Sequence, residues 1–193
     1  MKPGKFRLNI WKLWRPIYKW TWAQAQKSSY AHASAWLSQK KGLNVLDLGT
    51  GTGEYIESLP QGHRYIFTDI DLPSLKQAQK RAQAHLSGNY ECQELSAEEA
   101  LEAHKNSDVI FMIHVVSVIG DHEKMIRQAI DSLKPGGSLL VYISRMSRTF
   151  SKLDNPLLLG LGFKLINLDQ IEVPHQRQNV GLLNECYQFT KPY

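Results

Sequence analysis

Cysteine is scarce in this chain of 193 residues: Cys92 and Cys186 are the only two, far apart and with no histidine at metal-ligand spacing beside either. That excludes a disulfide framework and a zinc site, and fits structural thiols kept reduced in a cytoplasm. Long apolar runs are missing too. The longest, from Val109 to Ile119, is interrupted by His114 and bounded by Asp108 and Asp121, well short of the roughly 20 residues a membrane span needs. The N-terminus has no apolar stretch ending in small residues, so no signal peptide is expected, and its heavy tryptophan content argues against an organelle transit peptide. Acids are absent from the first 46 residues, which hold nine Lys/Arg, while residues 47–193 hold 14 basic and 18 acidic residues. The net charge of +5 is therefore +9 on a head and −4 on a body. All five tryptophans (Trp11, Trp14, Trp20, Trp22, Trp36) also lie in that head.

What is present divides the chain in the same way. At 22.1 kDa, with 42% hydrophobic and 21% charged residues, it has room for one globular domain with a single sizeable core. Residues 1–41 form the head and 42–193 the domain. Residues 5–40 read as helical, in two segments, with Pro16 tolerated in the first turn of the second. Trp22, Ala25, Ser29, Ala33 and Trp36/Leu37 recur there at helical spacing. After Lys41-Gly42, short β-rich runs alternate with polar helical stretches, the pattern of a wound parallel sheet. The runs are 44–48, 65–68, 90–93, 109–113 and 138–143. Helices are expected near 54–59, 73–85, 97–104 and 122–133, and residues 162–168 with 185–190 suggest a terminal edge hairpin.

The sharpest motif is Val45-Leu46-Asp47-Leu48-Gly49-Thr50-Gly51-Thr52-Gly53-Glu54, a buried strand running into a glycine-rich turn and an expected helix start. Glycines let a backbone turn tightly and approach a ligand, and a helix N-terminus favours a negative group. A dinucleotide loop would read G-x-G-x-x-G/A, but the acid Glu54 stands where a pyrophosphate would sit. No Gly-Lys-Ser/Thr follows, so it is not a P-loop. Twenty residues past Gly49, Asp69 closes the second strand, placed to accept both hydroxyls of a ribose. The expected ligand is a nucleoside without phosphates.

With Asp47, Gly49-Thr50-Gly51-Thr52-Gly53 and Asp69 in that order, a fourth strand at Asp108–Ile113 and Lys134-Pro135-Gly136-Gly137 before the fifth, the chain over about residues 42–193 resembles the class I S-adenosylmethionine-dependent methyltransferases. The resemblance implies an α/β fold: a Rossmann-like seven-stranded sheet, mostly parallel with an antiparallel edge hairpin, helices on both faces and an N-terminal helical cap. It implies S-adenosyl-L-methionine as cofactor and no metal. Asp47, Gly49 and Gly51 would line the methionine part, with Thr50 and Gly53 in the same loop, Asp69 at the ribose and Ile70 at the adenine face. Ser96-Ala97 occupy the place where the family often has an acid near the adenine amino group, with Glu94 or Glu98 as substitutes.

In wound sheets the residues just after the fourth strand face the ligand crevice. Here they are Ile113-His114-Val115-Val116-Ser117. His114 could contact the cofactor, orient an acceptor or take its proton, or be hydrogen-bonded under the head. Tyr142 is a second candidate for a proton relay. Tyr18 could close over the sulfonium by a cation–π contact, or be a core aromatic of the head helix. No Asn-Pro-Pro-Tyr or Asp-Pro-Pro-Tyr follows the fourth strand, and the body is acidic, so a nucleic-acid substrate is not expected.

A second, more specific similarity is to the small bacterial phosphatidylethanolamine N-methyltransferases, on Trp14-Arg15-Pro16-Ile17-Tyr18 and on His114-Val115-Val116-Ser117-Val118-Ile119-Gly120-Asp121, with His114 where that group usually has a tyrosine. It implies a phospholipid amine such as phosphatidylethanolamine as acceptor. A quinone or other small molecule is the alternative, and a non-catalytic cofactor-binding partner or sensor the alternative of a different class. The basic, Trp-rich head reads either as an interfacial helix on an anionic membrane, with the protein peripheral at the inner face, or as a substrate cap with its charges solvated.

Overall fold

The computed structural model describes residues 26–145, 166 and 168–193. Its centre is one seven-stranded sheet in the order β3-β2-β1-β4-β5-β7-β6. The strands are β1 (Asn44–Leu48), β2 (Arg64–Asp69), β3 (Tyr90–Glu94), β4 (Ser107–Ile113), β5 (Leu133–Ser144), β6 (His175–Val180) and β7 (Asn184–Thr190). Pairings β1 with β2, β2 with β3, β1 with β4 and β4 with β5 are parallel. β7 runs antiparallel to both β5 and β6. The chain winds outward in one direction from β1 and then, through β4, in the other, so the strand order reverses between β1 and β4. A crevice opens at such a point, at the carboxyl ends of the strands.

Strand alternation divides the core into two layers. Leu46, Leu48, Ile110, Met112, Leu139, Val141, Ile143 and Phe189 face one way, against helices α3 (Ala97–Ala103) and α4 (His122–Ser132). Val45, Phe67, Val109, Phe111, Leu140 and Tyr142 face the other way, against α1 (residues 26–38) and α2 (Leu72–His85). Helices thus cover both faces, as expected. Ser29, Ala33 and Leu37, one α-helical turn apart, form the buried stripe of α1. Asp71 caps α2 by accepting from Ser74 N at 3.1 Å, with Pro73 in the first turn, and Asp121 caps α4 at Lys124 N, 3.0 Å.

Two expectations change. The helix read near 54–59 is a single 3₁₀ turn, Ile56–Ser58: Gly53 is held at φ 66°, and only the short Tyr55-Ile56 pair is buried before the chain leaves through Leu59-Pro60. The edge hairpin is β6 with β7, not residues 162–168 with β7. Of 162–168 only Ile166 and Leu168 are described, both buried, and Leu168 opens a 3₁₀ turn. His175–Val180 carries no apolar alternation because it is the outermost strand, with Val180 its one buried residue.

Candidate functional site

The crevice is a cleft of about 770 Å³ at the carboxyl edge of the sheet, lined by the β1 loop, the ends of β2 and β4, the start of α3 and the start of α1. That is the size range of small-molecule sites, about 300–1,000 Å³. Gly49, Gly51 and Gly53 all have positive φ (71°, 59° and 66°), a region open to glycine at little cost. Their surroundings differ. A Cβ on Gly49 would run into the Val115 side chain, and one on Gly53 into Ile56 and Ala78, whereas a Cβ on Gly51 meets nothing within 4 Å. Gly49 and Gly53 serve packing, and Gly51 keeps its side of the loop open to the cleft.

The loop amides are already engaged. Thr50 N donates to Thr68 O (2.9 Å), Gly51 N to Asp69 Oδ2 (2.7 Å) and Gly53 N to Thr50 O (3.2 Å). With a 3₁₀ turn instead of a helix behind them, these groups form no phosphate cradle, which agrees with a ligand lacking phosphates. Asp69 accepts from Gly51 N on one oxygen and from Asp71 N on the other (2.8 Å). A carboxylate has about four acceptor positions, so each oxygen retains one for a sugar hydroxyl. Beside it Ile70 is 73% exposed on the cleft rim, an apolar surface suited to the face of a base.

Asp47 is buried beneath the loop. The hydroxyls of Thr50 and Tyr55 both donate to its Oδ2, and no donor among the described residues reaches Oδ1. Burial pushes its carboxyl up to about 6, against the two hydrogen bonds, which favour the anion. The Tyr55 ring stacks on Tyr30 of α1 at 5.2 Å and 24°, and burial raises both phenols above their ordinary range. Tyr30 lines the cleft with Gln26, whose Oε1 accepts from the Tyr30 hydroxyl at 2.9 Å.

His114 also lines the cleft and sits in the left-handed region, φ 59°, uncommon for a non-glycine residue. Its N–H donates to Tyr142 O (3.0 Å), and its Nε2 is 3.1 Å from Ser29 Oγ on α1. Burial lowers its pKa to about 4, so the ring is neutral at physiological pH. The reading of a histidine hydrogen-bonded under the head and the reading of a cleft residue thus both describe it.

Ser96 and Ala97 line the cleft, but Ser96 is the N-cap of α3 in a reciprocal capping box with Glu99. Glu98 lines the cleft and Glu94 does not. Tyr142 is a correction. It is fully buried among core residues away from the cleft, its hydroxyl 2.9 Å from His32 Nδ1, and desolvation raises its phenol far above the ordinary value. A group so placed cannot relay a proton to a ligand in the cleft. Tyr18 lies outside the described residues. Sequence reading missed Tyr30, Tyr55, Gln26 and the hydroxyl of Ser29. Only the burial stripe through Ser29 hinted at them.

Residues 46–139 match a family model described as a methyltransferase domain. This match, over just under half of the chain, supports a class I S-adenosylmethionine-dependent methyltransferase. A ubiquinone biosynthesis O-methyltransferase of Coxiella burnetii is 32% identical over 113 residues, 57% of this chain and 46% of that protein, so the chain spans about half the length of the curated relatives it matches. A methyltransferase from Thiobacillus denitrificans, solved with S-adenosyl-L-homocysteine, has TM-score 0.51 and 26% identity over 60% of this chain and 47% of the other. The N-methyltransferase NodS from Bradyrhizobium japonicum shares the fold at TM-score 0.58, with 17% identity, covering 92% of this chain and 98% of NodS. Within the matched residues the glycine loop, Asp69 and His114 converge on one cleft. No cluster of three or more His, Cys, Asp or Glu able to hold a metal occurs among the described residues. None of the described helices is long and apolar enough to cross a membrane.

Proposed function

We propose that this chain transfers a methyl group from S-adenosylmethionine to a small, largely apolar acceptor carrying a hydroxyl, of the quinone class. The observation that carries the cofactor half is Asp69, which ties the glycine loop through Gly51 N and keeps an acceptor position on each oxygen beside the exposed Ile70. Asp69 would hold the ribose, Ile70 the base, Glu98 an amino group at the base edge, and Gly51 with Asp47 the methionine end. The cofactor supplies an electrophilic methyl on a sulfonium. The residues around it hold two reactants aligned and keep water out, which accounts for most of the barrier reduction such a transfer requires.

Tyr30 presents its ring at the α1 wall, where an aromatic face can meet a cation. His114, with a pKa near 4, is a weak base, so we assign it to orienting the acceptor. The quinone class is supported by the Coxiella burnetii relative, a ubiquinone biosynthesis O-methyltransferase, and by Val115, Val118 and Ile119 at the mouth. The phospholipid amine first expected finds no support among the described residues and becomes an arm of the test.

Calorimetry with S-adenosylmethionine and S-adenosylhomocysteine tests the cofactor half: wild type binds both, and Asp69→Ala weakens binding at least tenfold. Binding by neither, or equal binding by Asp69→Ala, removes the site. Labelled methyl is then followed into hydroxylated quinone precursors, a total lipid extract and RNA. Label in the quinone fraction supports the acceptor, label in aminophospholipid replaces it, and no label in any fraction means a non-catalytic binder.

A further inference from the structure

Six large hydrophobic residues are exposed among the described residues: Ile70, Leu72, Val118, Leu182, Leu183 and Tyr193. Apart from Tyr193 at the C-terminal residue, all lie at the carboxyl edge of the parallel strands. Ile70 and Leu72 follow β2, and Val118 follows β4. Leu182 and Leu183 form the β6–β7 turn, which reaches that edge because antiparallel β7 starts beside the end of β5, with Asn184 opposite Ser144. Single exposed apolar residues need no explanation, but their collection on one edge does.

The edge is electrically divided. Around the cofactor half stand Glu54, Asp69, Asp71, Glu98 and Asp121. Around the Leu182-Leu183 turn stand Lys27, exposed next to Ser28, and Arg145, whose Nη1 donates to Leu182 O at 3.4 Å, whose N donates to Leu183 O and whose Nε lies 3.8 Å from the buried Glu185 carboxylate. Ser28 touches the turn directly: its Oγ donates to Val180 O, and a Cβ on Gly181 would meet it. The first described residues of α1 therefore sit against the turn.

We propose that the Gly181-Leu182-Leu183 turn, with Lys27 and Arg145, docks this protein on an anionic lipid surface. Leu182, 89% exposed, and Leu183, 47% exposed, enter the headgroup boundary. Lys27 and the exposed side of the Arg145 guanidinium meet lipid phosphate. By strand spacing β4 and β7 are roughly 10 Å apart, so a lipid-soluble acceptor leaving the membrane beside the turn meets the cleft. Docking stands on the turn itself; only its purpose rests on the methyl-transfer reading.

The test is co-sedimentation of the full chain with phosphatidylcholine vesicles, with and without phosphatidylglycerol, for wild type, Leu182→Ser/Leu183→Ser and Lys27→Gln. Cofactor binding by calorimetry is read on the same samples. Wild type binds the anionic vesicles, the double variant about tenfold or more weaker, and Lys27→Gln shows a smaller loss that disappears in high salt. Equal binding by wild type and the double variant overturns the proposal, as does a wild-type dimer in sedimentation that the double variant abolishes, which makes the turn a self-association contact. Loss of cofactor binding in wild type would sink the methyltransferase reading and leave docking standing. Retained cofactor binding without vesicle binding does the reverse.

Discussion

Ser29 Oγ of α1 lies 3.1 Å from His114 Nε2 just after β4, so a hydrogen bond between residues 85 positions apart joins α1 to the cleft. Both partners are largely withdrawn from water. Ser29→Ala removes this buried hydrogen bond and costs about 1–2 kcal/mol of unfolding free energy. If the bond orients His114 toward an acceptor, kcat falls severalfold while cofactor affinity stays within twofold. Denaturant titration beside steady-state kinetics checks both, and a change confined to cofactor affinity would contradict the assignment.

The three loop glycines separate by mechanism. Gly49→Ala meets Val115 as well as positive φ, so we expect a loss of about 3 kcal/mol or more and poor folding. Gly51→Ala has open space around the added methyl and pays only for the left-handed backbone, about 1 kcal/mol. It folds, yet binds S-adenosylmethionine at least tenfold more weakly, because the methyl stands where the cofactor passes. Thermal unfolding of both variants with calorimetry on Gly51→Ala decides the matter; normal affinity there moves the cofactor off the loop.

Asp47 should show stability and function pulling apart. Its carboxyl, raised to about 6, is ionised at pH 7.5 against the preference of its buried site. In Asp47→Asn the amide oxygen can still accept from Thr50 and Tyr55, and the amino group takes the place of Oδ1. We expect a variant as stable as wild type or more so at pH 7.5, but with cofactor affinity reduced about tenfold or more. A destabilised variant with unchanged affinity would make Asp47 purely structural.

Tyr30 is argued from its ring. Tyr30→Phe keeps the stack on Tyr55 and loses only the bond to Gln26, so cofactor affinity holds within about threefold. Tyr30→Ala opens the α1 wall and weakens it about tenfold. Equal affinities for both variants would remove the ring from the cofactor site.

The sheet was legible because its central strands are buried on both faces and read as apolar runs, Val109–Ile113 most plainly. The loop was legible because Gly49, Gly51 and Gly53 and the acids Asp47 and Asp69 sit at fixed offsets along one chain segment. The α1 wall was not. Helical spacing picked out Ser29 and Ala33 as a buried stripe but could not say which helix end would cover the cleft, so Tyr30, off that stripe, went unread. β6 was invisible because an edge strand with one buried residue has no alternation to read. Tyr142 was misplaced because strand parity, which turns it to the α1 face of β5 and away from the cleft, shows only once the register with β4 is known.

Two buried groups act on the pH dependence of stability with opposite signs. His114, lowered to about 4 from an ordinary 6.5, binds fewer protons folded than unfolded between those values. Its contribution is complete above pH 6.5 and is lost as pH falls toward 4, by up to about 3 kcal/mol. Asp47, raised from 3.8 to about 6, binds more protons folded than unfolded, so it offsets part of that loss on acidification between 6 and 3.8. Between pH 6 and 4 the two contributions overlap and partly cancel. His114→Gln makes the acid loss shallower than in wild type, whereas Asp47→Asn steepens it. Unfolding free energies of the three proteins from pH 7.5 to 4 measure this, and parallel curves for wild type and His114→Gln would show that His114 titrates as it does in water.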